Sequence, residues 1–147
     1  MKITLVCSYG GHLTELQYLS DAFDDHETLY ISYDNFRTRD LDEPKYLIES
    51  IDTSAWRMLK AFVRIGQILI RERPDVVVST GSEIAIPAFV CARFLSIETI
   101  FIESWCRVHA LSTTGKVVYP LSDLFLVQWP ELAEKTNRDI RYEGAVL

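Results

Sequence analysis

Three short stretches of this chain bring together residue types that could do chemistry. The first, Ser-Tyr-Gly-Gly-His-Leu-Thr-Glu over positions 8–15, sets Gly10 and Gly11 directly before His12. Glycine permits a tight turn and close backbone approach. If a helix follows, its first N–H groups are unpaired and partly positive, which suits a phosphate. His12 is then a candidate general base or a phosphate ligand; the plainer reading is a tight turn with a capping histidine. The spacing is neither G-x-G-x-x-G nor a P-loop, which weighs against dinucleotide and ATP binding. Glu15 lies one turn further on, where its simplest role is a favourable carboxylate near a helix start.

The second stretch is Ser-Thr-Gly-Ser-Glu over positions 79–83. Thr80, Gly81 and Ser82 can present N–H groups and hydroxyls to a diphosphate, or simply cap a helix. In the third, Glu103 ends the apolar run Ile-Phe-Ile-Glu, and Arg107 follows four residues later. A carboxylate so placed is either open at a sheet edge, as a second catalytic candidate, or buried with a partner. Arg107 is the obvious ion-pair partner.

These stretches need a frame to hold them. Short apolar runs at 3–8, 28–33, 46–50, 75–80, 98–104 and 124–129 read as strands, and helical patterns separate most of them. That alternation predicts a Rossmann-like α/β fold, a parallel sheet with helices on both faces. Ligands in such sheets lie at the carboxyl ends of the strands, so the three loops are expected to converge on one edge. After the Gly-Gly-His turn a helix is expected with Leu13, Leu16 and Leu19 inward. Thr53 or Ser54 is expected to cap a long helix ending near Arg73-Pro74. The tail from Asp139 on is ambiguous.

The long helix has its own pattern. Arg57, Lys60, Arg64, Gln67 and Arg71 recur every three or four residues as a basic stripe. Trp56, Met58, Leu59, Phe62, Val63, Ile65, Ile68, Leu69 and Ile70 fill the rest. Such a helix can lie in a membrane interface, or it can be a core helix with a solvated stripe. Both hold if one side packs on the sheet. Trp56, near the helix start, suits an interfacial position.

Composition narrows the classes. The 147 residues suggest one domain, 1–147. A net charge of −6 argues against nucleic acid as a partner. Cys7, Cys91 and Cys106 are odd in number and far apart, which suggests neither a disulfide framework nor a metal site, and fits a reducing compartment. Cys7 and Cys91 are expected to be buried small hydrophobes. No signal peptide and no run long enough to span a membrane is visible.

Positions 103–132 read ESWCRVHALSTTGKVVYPLSDLFLVQWPEL. Together with GGHLTE near the start, they resemble the membrane-associated subunit of the split N-acetylglucosaminyltransferase of asparagine-linked glycosylation (the Alg-fourteen type). Bacterial exopolysaccharide proteins of the PssD type look similar. The likeness runs in order over nearly the whole chain. It implies the N-terminal, acceptor-side half of a GT-B glycosyltransferase of MurG type, with a separate donor-binding subunit completing the cleft. The acceptor implied is a polyprenyl-diphosphate-linked sugar, and the site is the cytoplasmic face of a membrane. No resident cofactor or metal is implied; the UDP-sugar is a co-substrate held mainly by the partner.

Carried onto this chain, the resemblance makes His12 and Glu103 the catalytic candidates. Gly10, Gly11, Thr80, Gly81, Ser82 and Arg107 become acceptor or phosphate contacts. Ser112, Thr113 and Gly115 match a segment whose role the sequence does not give, and Gln128, Trp129 and Pro130 match one that is either structural or partner-facing. Trp56, Arg57, Lys60 and Arg64 are the membrane-facing residues. Many relatives begin with a transmembrane anchor, whereas this chain starts at its first strand, so peripheral attachment is expected. The reaction implied is inverting transfer of a sugar, GlcNAc first among the candidates. A non-catalytic membrane scaffold, a glucuronosyl or galactosyl exopolysaccharide transferase subunit, and a stand-alone binding domain are the other readings.

Overall fold

Val76–Ser79 is a run of β-branched valines closed by a serine, with every residue buried. A strand apolar on both faces belongs in the middle of a parallel sheet, and that is where it lies. The computed structural model describes residues 1–136 and 139–146. Its strands are β1 Lys2–Cys7, β2 Glu27–Tyr33, β3 Lys45–Ile48, β4 Val76–Ser79, β5 Glu98–Ile102, β6 Leu124–Val127 and β7 Arg141–Tyr142. They form one seven-stranded sheet in the order β3-β2-β1-β4-β5-β6-β7, and every pairing is parallel. The chain winds outward from β1 to β3, returns to β4 beside β1, and winds the other way. The order reverses between β1 and β4, where Ile3 faces Val76 and Val6 faces Ser79. Such a switch point leaves a crevice at the carboxyl ends of the two strands.

The helices are α1 Gly11–Tyr18, α2 Phe36–Arg39, α3 Ala55–Glu72, α4 Ala85–Phe94, α5 Thr113–Val118 and α6 Pro130–Lys135. One face of the sheet packs Val6, Ile31, Val77, Phe101 and Phe125 against Ile65 and Leu69 of α3 and Phe89 of α4. The other packs Leu5, Cys7, Val78 and Ile102 against Leu13 and Leu16 of α1. Gly66 of α3 lies 3.5 Å, at the place of a Cβ, from the Cys91 sulfur of α4, so the two helices pass closely.

Most expected elements are present, with shifted ends. The third strand occupies Lys45–Ile48 rather than 46–50. Ser54, not Thr53, caps α3, accepting from the Arg57 N–H at 3.3 Å. Thr53 and Asp52 instead take left-handed φ angles of 61° and 45°, which turn the chain into the helix. Arg73 ends α3 in the same region with φ 47°, and Pro74 cannot extend it. Leu13 and Leu16 are buried but Leu19 only half so, because α1 ends at Tyr18. Cys7 is buried as expected; Cys91 is half-buried. The one-turn α2, the Pro130 start of α6 and the edge strand β7 are additions to the pattern that the sequence predicts.

Candidate functional site

The crevice at the switch point opens into a cavity of about 500 Å³ lined by Gly11, His12, Ser82, Glu103, Arg107 and Ser112, among others. All three chemical loops of the sequence therefore meet. A larger opening of about 690 Å³, between Met1, Ile70, Arg73 and Leu95, lies at the opposite, amino edge of the sheet, away from these loops.

His12 is fixed from two sides. Its Nδ1 lies 2.8 Å from the carbonyl oxygen of Thr80. A carbonyl only accepts, so Nδ1 carries the proton, and in the neutral ring Nε2 keeps the lone pair. The Thr80 hydroxyl donates back to the His12 carbonyl at 2.7 Å. Gly81 has φ 127°, and a Cβ there would stand 2.8 Å from the His12 ring. Backbone and ring both require glycine at that position. Ser82 follows with φ 73°, a strained angle for a serine, and donates its hydroxyl to Glu83 at 2.7 Å. Thr80 is thus occupied in holding His12, and Ser82 stands at the cavity wall.

Gly10 and Gly11 serve differently. A Cβ on either meets nothing within 4 Å, so their bareness relieves no internal clash; it leaves the outer surface of the loop open. Gly10 is the N-cap of α1 without a side-chain cap bond, and the first N–H groups of the helix precede any intrahelical partner. The loop is held from behind by Arg37 of α2. Its Nη1 donates to the carbonyls of Tyr9 at 3.0 Å and Gly10 at 3.3 Å, and its Nη2 to the Thr14 hydroxyl at 3.1 Å. Arg37 carries no signal in the sequence, because the carbonyl of Tyr9 that it holds lies 28 positions earlier and no periodicity links the two.

Glu103 does not pair with Arg107; no ion pair joins them among the described residues. Only 1 % of Glu103 is exposed. Its Oε1 accepts from the Ser104 N–H at 3.0 Å. Its Oε2 accepts from the Ser112 N–H at 2.8 Å and the Ser112 hydroxyl at 3.0 Å. The Ser112 oxygen in turn caps α5 by accepting from the Gly115 N–H at 2.9 Å. This gives Ser112 and Gly115 the role that the sequence left open: they lock the helix onto a buried carboxylate. Arg107 keeps an exposed side chain at the cavity, while its N–H donates to the Ser104 carbonyl at 2.9 Å. Thr113 is exposed at the start of α5 on the same wall.

Glu15 also departs from expectation. It is 4 % exposed and serves as a tie between elements, not as a partner for the dipole of α1. Its Oε1 accepts from the Ser104 hydroxyl at 2.9 Å and the Trp105 N–H at 3.2 Å. Its Oε2 accepts from the Gln128 amide at 3.1 Å. Gln128 also donates to the Glu103 carbonyl at 3.1 Å and accepts from the Val146 N–H at 2.9 Å. Trp129 donates its indole N–H to the Trp105 carbonyl at 2.6 Å, with the rings 5.4 Å apart. The Gln128-Trp129 pair is therefore a hub behind the cavity. The available signal for Glu15 was its place beside the inward Leu16, one turn after His12.

Trp56, Lys60 and Arg64 lie exposed on α3. Lys60 sits 5.8 Å from the centre of the Trp56 ring. Arg57 differs: it is half-buried and bridges Glu49 at 3.3 Å and Asp52 at 3.1 Å. Leu59, Val63 and Ile70 are also exposed, so an apolar strip runs beside the basic one. Among the described residues no helix is long and apolar enough to cross a membrane.

Residues 4–146 match the family described as "Oligosaccharide biosynthesis protein Alg14 like". The human UDP-N-acetylglucosamine transferase subunit ALG14 is 30% identical over 181 residues, covering 100% of this chain and 83% of the human protein. The mouse protein of the same name is 33% identical over 139 residues, covering 90% of this chain but 62% of its own length, so this chain spans less than two-thirds of it. Among solved structures, MurG of Acinetobacter baumannii superposes with a TM-score of 0.80 at 14% identity, over 96% of this chain and 45% of MurG. The UDP-GlcNAc 2-epimerase of Methanocaldococcus jannaschii, in complex with UDP-GlcNAc and UDP, gives 0.77 at 16% identity, over 99% of this chain and 47% of the enzyme. At these identities the likeness shows the fold, a Rossmann-like half of a GT-B architecture.

Proposed function

The chain belongs to the Alg14-like family of oligosaccharide biosynthesis proteins, and from that premise we propose that it is the acceptor-binding, membrane-recruiting subunit of a two-chain glycosyltransferase. The sugar is GlcNAc, donated by UDP-GlcNAc, because the human and mouse relatives are UDP-N-acetylglucosamine transferase subunits. The acceptor is a sugar on a polyprenyl diphosphate. The observation that carries this reading is His12, held by Thr80 as a tautomer with Nε2 free, on a cavity at the switch point.

The chemistry follows from that placement. An acceptor hydroxyl attacks the anomeric carbon of the donor from the side opposite the UDP. A C–O bond forms to the acceptor, the bond to the UDP oxygen breaks, and the configuration inverts. Nε2 of His12 takes the hydroxyl proton. Arg107 and the first N–H groups of α1 offset the acceptor diphosphate. Glu103, with both oxygens occupied by donors, holds the wall and leaves the base role to His12. A donor-binding partner supplies the opposite wall. The MurG and epimerase chains are more than twice as long as the half matched here, which supports a second Rossmann unit. The basic and apolar strips of α3 support peripheral attachment, and the three free cysteines fit the cytoplasmic face.

Purification from native cells in mild detergent identifies the stoichiometric partner, and the pair is then assayed for transfer from UDP-GlcNAc to a polyprenyl-diphosphate GlcNAc. Transfer that needs both chains supports the proposal. Full transfer by the partner alone means that this chain is a scaffold. No transfer from UDP-GlcNAc, but transfer from UDP-glucuronate or UDP-galactose, replaces the sugar and keeps the subunit.

A further inference from the structure

The turn that follows β2 is built rigidly, and from it the half-buried Arg37 extends its guanidinium to the loop between β1 and α1. Asn35 caps α2 by accepting from the Arg37 N–H at 3.1 Å, while its own N–H donates to the Thr38 hydroxyl at 3.0 Å. That hydroxyl donates to the Tyr33 carbonyl at 2.7 Å, and Thr38 is fully buried. The turn is therefore pinned to the end of β2 from inside. The nearby Asp34 is taken by Arg39, at 2.6 and 2.9 Å. Arg37 makes no ion pair among the described residues; its fork is spent on Tyr9 O, Gly10 O and Thr14 Oγ1.

Downstream, the loop is anchored by the His12–Thr80 bonds; on its upstream side, at Tyr9 and Gly10, the fork is the side-chain support among the described residues. Gly10 and Gly11 have no side chains, nothing within 4 Å of either Cβ position, and no side-chain cap at Gly10. The Gly10 carbonyl accepts from Leu13 and Thr14, bonds internal to the helix start. Bonds from a charged donor to neutral carbonyls are stronger than neutral ones. The planar fork fixes two carbonyls and a hydroxyl at once, which a lysine cannot do.

We propose that Arg37 is a positioning residue for transfer: it fixes the Gly10-Gly11 loop in the shape that receives the acceptor diphosphate, from the side of the loop away from the ligand. The inference rests on the reading that this loop binds the acceptor. Its geometric part stands on the fork alone.

The test uses the assembled two-chain enzyme with Arg37→Ala and Arg37→Lys. Hydrogen–deuterium exchange of the peptide over residues 9–14 reports the clamp, and KM for acceptor and donor separately reports the ligand. Exchange there accelerates in both variants while the rest of the sheet is unchanged. KM for the acceptor rises about tenfold, as expected for losing a charge-assisted hydrogen bond, and KM for UDP-GlcNAc stays constant. Added guanidinium at millimolar concentration restores part of the loss in Arg37→Ala but not in Arg37→Lys, whose side chain fills the space. Unchanged exchange and unchanged KM overturn the clamp. Faster exchange with an unchanged acceptor KM keeps the clamp and overturns its link to the acceptor, which is then a failure of the functional reading. If Arg37→Ala lowers yield or exchanges faster throughout, Thr14→Val removes one arm of the fork in a near-isosteric way and must give the same loop-confined change; if it does not, the proposal falls.

Discussion

His12 and Thr80 bond to each other reciprocally: ring Nδ1 to the Thr80 carbonyl at 2.8 Å, and the Thr80 hydroxyl to the His12 carbonyl at 2.7 Å. His12 lies in the first turn of α1 and Thr80 directly follows β4, so the pair closes the switch point of the sheet. The arrangement fixes which ring nitrogen is free, where the ring lies, and where α1 begins.

His12→Ala in the assembled enzyme lowers turnover about a hundredfold or more, the scale of a lost general base, beside a stability loss of about 1 kcal/mol from the Thr80 carbonyl left without its donor. Thr80→Val keeps the carbonyl and the volume but loses the hydroxyl, and costs less, about 1 kcal/mol of positioning. Steady-state kinetics on both variants check this. Turnover within twofold of wild type in His12→Ala removes it from the base role.

Glu103 and Gly115 give a second, separable prediction. A Cβ at Gly115 would overlap Oε2 of Glu103, so Gly115→Ala must push α5 off its carboxylate. It destabilises the fold by about 1–3 kcal/mol. Glu103→Gln turns an acceptor into a donor facing N–H groups and costs about 1–3 kcal/mol. What stays folded keeps turnover within about tenfold, against the hundredfold scale of a lost base. Thermal denaturation beside kinetics separates the two roles. A stable Glu103→Gln protein with turnover gone would make Glu103 chemical after all.

The fold was legible because its signals are local. The valines of β4, the alternation of strand and helix, and Ser54 and Pro74 around α3 each act over a few residues. The convergence of the three loops followed from topology alone. The roles of the carboxylates were not legible, because they depend on partners distant in sequence. Glu15 is tied to Ser104 and Gln128, and Arg37 to Tyr9. A motif such as Ser112 to Gly115 states that something is held, but the thing held, Glu103, enters only when β5 and α5 are side by side.

Titration above neutrality gives a third prediction. Burial pushes the Cys7 thiol from 9.0 up to about 12. Burial first, and nearby carboxylates second, raise Tyr30 and Tyr33 as well. Lys2 is raised chiefly by its hydrogen bond to Glu72. In all four the folded state keeps a proton that the unfolded chain releases. Their contribution is full below the unfolded pKa values and is lost as pH rises through the folded ones. Stability is therefore flat toward pH 9 and falls beyond it, and Cys7→Ala flattens the start of that fall. Melting temperatures across pH 7–11 check the sign; a rise between pH 9 and 10 contradicts it.

The outward face of α3 makes the last prediction, and it separates charge from apolar contact. Lys60 and Arg64 stand beside Leu59 and Val63, and all four are exposed. A basic residue near an anionic bilayer contributes about 1 kcal/mol, and salt screens it. Lys60 is already partly offset by Glu49 at 3.9 Å, so Arg64 should matter more. Arg64→Glu reduces flotation with phosphatidylserine vesicles by about tenfold at low salt, and the loss shrinks at high salt. Leu59→Ser with Val63→Ser removes contact that salt does not screen, so its loss persists at high salt. Neither change touches the buried face of Ile65, Ile68 and Leu69, so circular dichroism stays as in wild type; Arg64→Glu gives up the guanidinium over the Tyr46 ring at 5.8 Å, which costs about 0.5–1 kcal/mol at an exposed site. Equal flotation of all variants would mean that attachment comes through the partner, and the strips of α3 would then be ordinary surface.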